Sequence, residues 1–212
     1  QASLRPDVLV YSTPVVDQDV EVIGPSSAQL FAATSARDTD WMIRLVDVHP
    51  DGRALFLAEG VMRARHRDDQ HNGAFQPERF SEIEPGRVYP YAIDFWRPTG
   101  NLFAKGHRIR VEISSSYYPY YLRNLNTGED NLALATKPVV ARQTIRHDAD
   151  HPSHIVLPVI PATPARRERW PMPGIPSPGG FYRCRPRRAG SRAEAGFRRR
   201  AVSARPADCV LP

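Results

Sequence analysis

Several groups of residues in this chain have the types that catalysis or recognition uses. Ser114-Ser115-Ser116, with His107 and Asp94 nearby in sequence, hold the ingredients of nucleophilic acyl transfer. A serine nucleophile needs a base within hydrogen-bond reach and an oxyanion site, commonly on a tight strand-to-helix elbow. No G-x-S-x-G occurs and no helical pattern follows the serines, so they read as satisfying backbone groups where a strand ends. His147, His151 and His154, beside Asp148 and Asp150, are of the types that ligate zinc, whose sites want three or four groups converging. Their spacing suits a helix, whereas this stretch reads as a turn between two strands, and a polar turn is expected. Asp38, Asp40, Asp47 and Asp51 flank one strand and its turn, where paired acids could serve glycosidic or calcium chemistry. Asp38 in Ser-Ala-Arg-Asp-Thr-Asp and Asp51 in Pro-Asp-Gly read as turn caps.

The tyrosines are different. Tyr117, Tyr118, Tyr120 and Tyr121 put four rings within five residues, followed by Arg123, Asn124 and Asn126. Four rings so close cannot all point inward, and aromatic and arginine side chains dominate interfaces. A docking surface for another domain is expected there, with the His49–Arg53 turn as a second contact loop. Trp41 and Trp96 sit within strand patterns and are expected in the core.

The elements that must position these residues are strands. Gly106–Ser116 alternates cleanly, with Ile109, Val111 and Ile113 on one side and Arg108, Arg110 and Glu112 on the other. Trp41–Val48 closes on His49-Pro50-Asp51-Gly52, a hairpin turn. Further strands are read at Asp7–Thr13, Val20–Val22, Ala28–Thr34, Ala54–Leu57, Val61–Arg67, Val88–Trp96, Val139–His147 and His154–Ile160. Pro90 suggests an edge or a bulge within its strand. A polar loop, with a helical turn near Pro77–Glu82, separates the two halves. Short strands spaced by turns predict an all-β antiparallel sandwich of jelly-roll type over residues 1–162.

Residues 163–212 differ in kind. They hold twelve arginines, three acids, eight prolines and five glycines, and both cysteines, Cys184 and Cys209. The other 162 residues carry 17 basic and 20 acidic side chains, so the net +6 belongs to the tail alone. Neither nucleic acid nor membrane is therefore an expected partner, and no run of apolar residues is long enough to span a bilayer. Such a tail buries too little apolar surface to offset its ordering entropy, and a disordered or frameshifted segment is expected. A chain that begins at Gln1 is also expected to be a piece of a longer protein. Its compartment, cytoplasmic or secreted, stays open.

Ordered segments along the first three quarters of the chain carry a resemblance. They are Arg5–Pro14, Asp19–Pro25, Asp38-Thr39-Asp40-Trp41, Leu45–Ala54, Arg63–Arg67, Gly106–Ser116 with Asn124–Gly128, and Ser153–Pro161. Together they resemble the C-terminal β-sandwich of the X-Pro dipeptidyl-peptidase and cocaine esterase family of serine hydrolases. That family also includes α-amino acid ester hydrolases and glutaryl acylases. The resemblance implies a jelly roll of galactose-binding-like fold. It also implies a partner in cis, an α/β-hydrolase domain that carries the serine, aspartate and histidine and acts on a small ester or peptide. No residue here matches that triad, so no catalytic, cofactor or metal residue is expected and the chain alone should be inactive. The alternative reading of the same fold is a free-standing carbohydrate-binding module.

Overall fold

The computed structural model describes residues 5–68, 81–129 and 137–161, and the backbone of two further segments, 200–202 and 209–211. In chain order the strands are β1 (Val8–Ser12), β2 (Val20–Gly24), β3 (Ser27–Thr34), β4 (Asp40–Val48), β5 (Ala54–Arg63) and β6 (Tyr89–Asp94). There follow β7 (Thr99–Phe103), β8 (Arg108–Ser114), β9 (Gln143–Arg146), β10 (His154–Leu157), β11 (Arg200–Val202) and β12 (Cys209–Leu211). The helical turn expected near Pro77–Glu82 falls mostly outside the described residues, as does most of the tail.

Strand β4 shows why the chain folds as it does. Trp41, Ile43 and Leu45 alternate to one face and are at most 1% exposed, as a strand with one buried side requires. Antiparallel ladders to β8 and β5, with β1 added beyond β8, make a sheet in the order β1-β8-β4-β5. The second sheet is built on β3. Its whole first six residues pair with β6 on one side, while β10 and β9 share the other side end to end. The tail segments β11 and β12 pair with β10 and β9 respectively. A separate ribbon of β2 and β7 closes one end, tied on by the bridge between Val22 and Val159.

The inner faces of the two sheets meet in one apolar core. Trp41, Ile43 and Leu45 lie with Leu30 and Ala32 of β3, Tyr91 and Ile93 of β6, Phe103 of β7, Ile145 of β9 and Leu157 of β10. Each large side chain so buried contributes roughly 1.5–3 kcal/mol of transfer free energy. The protein is thus an all-β sandwich, as its spacing of strands and turns predicts.

Four local expectations need correction. The expected strands Ala54–Leu57 and Val61–Arg67 are one strand, β5, running through Gly60. A Cβ on Gly60 would sit 2.8 Å from Ile93 Cγ2 and 2.9 Å from the Asp94 carbonyl oxygen. Gly60 therefore marks a close crossing by the end of β6 and not a break. The second correction follows directly: Ala64–His66 leave the sheet as a single 3-10 turn, with the Ala64 amide donating to the Thr39 carbonyl. Third, β7 forms where no strand is read from the sequence: Thr-Gly-Asn-Leu-Phe has few β-formers, and its order comes from pairing with β2. Fourth, Trp96 lies beyond β6 and is 68% exposed, so only Trp41 of the two tryptophans is core. Pro90 does sit on an edge: among the described residues, β6 pairs only with β3.

Candidate functional site

The outer face of the first sheet carries a cross-strand charge ladder. Arg44 of β4 has Glu59 of β5 and Glu112 of β8 as its direct neighbours, and its guanidinium lies 3.1 Å from Glu112 Oε2. Opposite charges across antiparallel strands attract, and such pairs are worth up to about 1 kcal/mol. Alternation puts Glu112 on the solvent side, yet it is only 5% exposed. The cover is the tyrosine loop, which folds back over the ladder after β8 ends.

Two of the four tyrosines hold that cover down. The Tyr117 ring takes Arg44 at 4.6 Å from its centroid, a cation–π contact over a shielded charge. The Tyr121 hydroxyl donates to Glu59 Oε1 at 2.8 Å, and its burial, with this bond to a carboxylate, pushes its pKa up to about 12. The other two project. Tyr120 stacks on Tyr117 with ring centroids 5.0 Å apart, and Arg123 lies over the Tyr118 ring at 5.1 Å. Tyr120 is 77% exposed and Tyr118 62%, and Trp96 joins them by tilting against Tyr121 at 6.5 Å. The result is an anchored aromatic face. Sequence reasoning found its tyrosines but placed Trp96 in the core. Nothing in the sequence flagged Glu59 as an anchor, because the link is made only when β5 pairs with β4.

Beneath the loop lies a buried polar network. Asn124 Nδ2 donates to Asp38 Oδ2 at 3.0 Å and to Asp40 Oδ1 at 2.9 Å, while its Oδ1 accepts from the Asn126 amide at 2.9 Å. Arg63 donates to both oxygens of Asp40, and Arg65 donates to the Gly128 carbonyl. Asn126 reaches on to the Val139 carbonyl from a positive φ of 61°, a conformation asparagine tolerates. Burial pushes the Asp38 carboxyl above the usual carboxylate range, offset in part by the Asn124 bond. Two sequence expectations change here. Asp38 is no turn cap but a buried acid, and Asn124 is spent inside the domain at 6% exposure instead of facing a partner.

The second predicted contact loop is elsewhere. Register places Ser114 beside Met42 and Arg108 beside Val48, so the tyrosine loop, leaving β8, and the His49–Arg53 turn, leaving β4, lie at opposite ends of β4. Six strand residues separate them by about 20 Å. In the turn, Asp51 does cap: it accepts from the Arg53 amide at 3.0 Å and pairs with the exposed Arg53 side chain at 2.6 Å. Gly52 supplies the positive φ of 86° that the turn requires. His49 is half-buried beside His107, whose Nδ1 lies 2.8 Å from Asp47 Oδ1.

The catalytic and zinc candidates are not brought together. Ser114 Oγ bonds the Ser116 carbonyl, His107 lies at the far end of the same strand, and Asp94 is exposed on the other sheet. His151 turns to Asp148 at 3.0 Å, His154 to the Pro152 carbonyl, and His147 stands edge-on to Tyr11 at 5.6 Å. A cavity of about 490 Å³ opens between the sheets, lined by Ile43, Ile109, Val111, Ile145, His147 and Leu157 among others. None of the nine predicted contact residues lines it. Among the described residues no helix is long and apolar enough to cross a membrane.

Among the described residues, then, the sandwich presents an anchored aromatic face, and its candidate serine, histidine and acid side chains lie apart. Residues 1–156 match the family described as the X-Pro dipeptidyl-peptidase C-terminal non-catalytic domain, and the chain belongs to that family. It is 46% identical over 160 residues to the cocaine esterase of Rhodococcus sp., covering 74% of this chain and 26% of that protein. A putative serine esterase of Mycobacterium bovis is 30% identical over 169 residues, covering 72% and 24%. Among solved structures, an aminopeptidase from a marine-sediment Thaumarchaeota archaeon aligns with a TM-score of 0.67 at 31% identity, covering 74% and 26%. An α-amino acid ester hydrolase does so with a TM-score of 0.67 at 29% identity, covering 75% and 26%. The chain thus spans about a quarter of the length of the curated relatives it matches.

Proposed function

We propose that this domain packs in cis on an α/β-hydrolase domain and forms one wall of the cleft where a small ester or peptide is hydrolysed. In that hydrolase a serine attacks the carbonyl and water resolves the acyl-enzyme. The observation that carries the reading is the anchored aromatic face. Trp96, Tyr118 and Tyr120 stand out on a base fixed by Arg44, Glu59 and the Asn124 network. Pre-ordered tyrosine, tryptophan and arginine side chains lose little entropy on docking, which is why they dominate binding energy at interfaces. The sandwich over residues 1–162, with a jelly-roll path, is the functional unit in this reading, and β11 and β12 of the tail only extend its second sheet.

The first test is turnover of a p-nitrophenyl ester by the purified 212-residue chain. None above the buffer rate is expected, and saturable hydrolysis would overturn the reading. A glycan array addresses the carbohydrate-binding alternative. Sugar binding at about 1 mM or tighter, lost in Tyr120→Ala, would favour that alternative.

A further inference from the structure

We infer that Asp47, His49 and His107 form a binding site for one divalent first-row transition ion. Each of the three offers a ligand atom, and these atoms lie within 4.8 Å of one another. His107 Nδ1 is 2.8 Å from Asp47 Oδ1, and His49 Nε2 is 3.8 Å from Asp47 Oδ2. An ion held tetrahedrally at 2.0–2.1 Å sets its ligands about 3.3 Å apart. The two separations, one to each oxygen of the Asp47 carboxylate, lie on either side of that value, so side-chain rotations would bring one oxygen and both ring nitrogens onto an ion.

Three further observations point the same way. His49 Nε2 is buried and has no hydrogen-bond partner. A buried ring nitrogen without a partner is costly, and a ligand that accepts its lone pair removes the cost. The two imidazoles lie side by side with centroids 4.2 Å apart, and their backbones are fixed. The His49 amide donates to the Arg53 carbonyl at 2.8 Å and the His107 amide to the Ala104 carbonyl at 3.0 Å. The carboxylate is also aimed: Asn101 Nδ2 donates to Asp47 Oδ2 at 3.3 Å, the kind of outer contact that orients a ligating acid.

The donor set selects the ion. Two imidazoles and one carboxylate suit zinc, nickel, cobalt or copper(II), and not calcium or magnesium, which want oxygen ligands. Asp47 is buried while the His49 and His107 side chains are 21% and 13% exposed, so water can complete the shell from the outer side. Binding at His107 Nδ1 displaces the hydrogen bond to Asp47 Oδ1, and the neutral ring then carries its proton on Nε2. The ion would clip the turn between β4 and β5 to the turn between β7 and β8. Those turns already touch, since a Cβ on Gly106 would meet Pro50 Cγ at 3.4 Å.

The experiment is a cobalt(II) titration of the full chain with its cysteines alkylated, read by visible absorbance and followed by displacement with zinc. One equivalent is expected to bind, with zinc raising the melting temperature by several degrees. His49→Ala, at a turn, should lower the affinity at least about thirtyfold, as should His107→Ala, while His151→Ala leaves it unchanged. Cobalt should also broaden the ring signals of His49 and His107 before those of the other histidines, a readout that needs no variant. Absence of saturable uptake up to about 1 mM would overturn the inference. So would uptake that survives His49→Ala, or broadening confined to His147, His151 and His154.

Discussion

The two ends of strand β4 are built on different physics. At its start, buried acids, an arginine pair and Asn124 lock a loop whose aromatic rings then face outward. At its end, the turn from His49 to Arg53 pairs exposed Arg53 with exposed Asp51 and sets half-buried His49 beside a single buried acid, Asp47. The first end fixes a surface before anything binds it. The second holds a compact set of donors whose partners are few. Exposed aromatic area is useful only where something underneath stops it collapsing inward, and the polar network under the tyrosine loop supplies that support.

The largest effect should come from the network. Asn124→Ala removes donors from two buried carboxylates at once and is expected to cost about 3 kcal/mol, because each acid is left under-satisfied in a dry site. Denaturant unfolding monitored by tryptophan fluorescence measures it. A loss below about 1 kcal/mol would mean water replaces the amide and the loop base is not dry. Gly60→Ala should cost about 1–3 kcal/mol, since the added methyl meets Ile93 and the Asp94 carbonyl.

The pH dependence sharpens the same contrast. The folded-state pKa of Asp38 lies above its ordinary 3.8, so folding favours its protonated form. Its stabilising contribution is present below pH 3.8 and is lost as pH rises through the raised folded value. Wild type should therefore gain stability relative to Asp38→Asn as the pH is lowered from neutral to acidic, read by denaturant unfolding at each pH. An unchanged gap would remove burial as the dominant influence on Asp38. The smallest effect belongs to the other end. Arg53→Ala breaks an ion pair whose side chains are 68% and 53% exposed and should leave the denaturation midpoint unchanged within error.

Much of the first end was legible in the sequence, and little of what supports it. Alternation in Gly106–Ser116 assigns Ile109 and Ile113 to the core correctly, because a period of two needs no tertiary information. Four rings in five residues likewise force some outward. Asn124 reads like any loop asparagine, and its burial depends on Asp38 and Asp40 arriving from 86 and 84 residues away. Gly60 looks like a strand break because sequence shows the missing side chain and not the chain that crosses it. Trp96 follows an aromatic strand pattern, and only the end of β6 at Asp94 turns it to the surface. The pairing of Asp47 with His107 joins residues 60 apart, beyond any local spacing rule.

The most direct test is binding of the chain to the part of the Rhodococcus cocaine esterase that lies outside the matched region, over which the two are 46% identical. Affinity would be measured by calorimetry for wild type, Trp96→Ala, Tyr120→Ala and Arg53→Ala. The account predicts that each aromatic substitution weakens docking at least about thirtyfold while Arg53→Ala stays within about threefold. Equal affinities for all four chains, or a loss confined to Arg53→Ala, would contradict it.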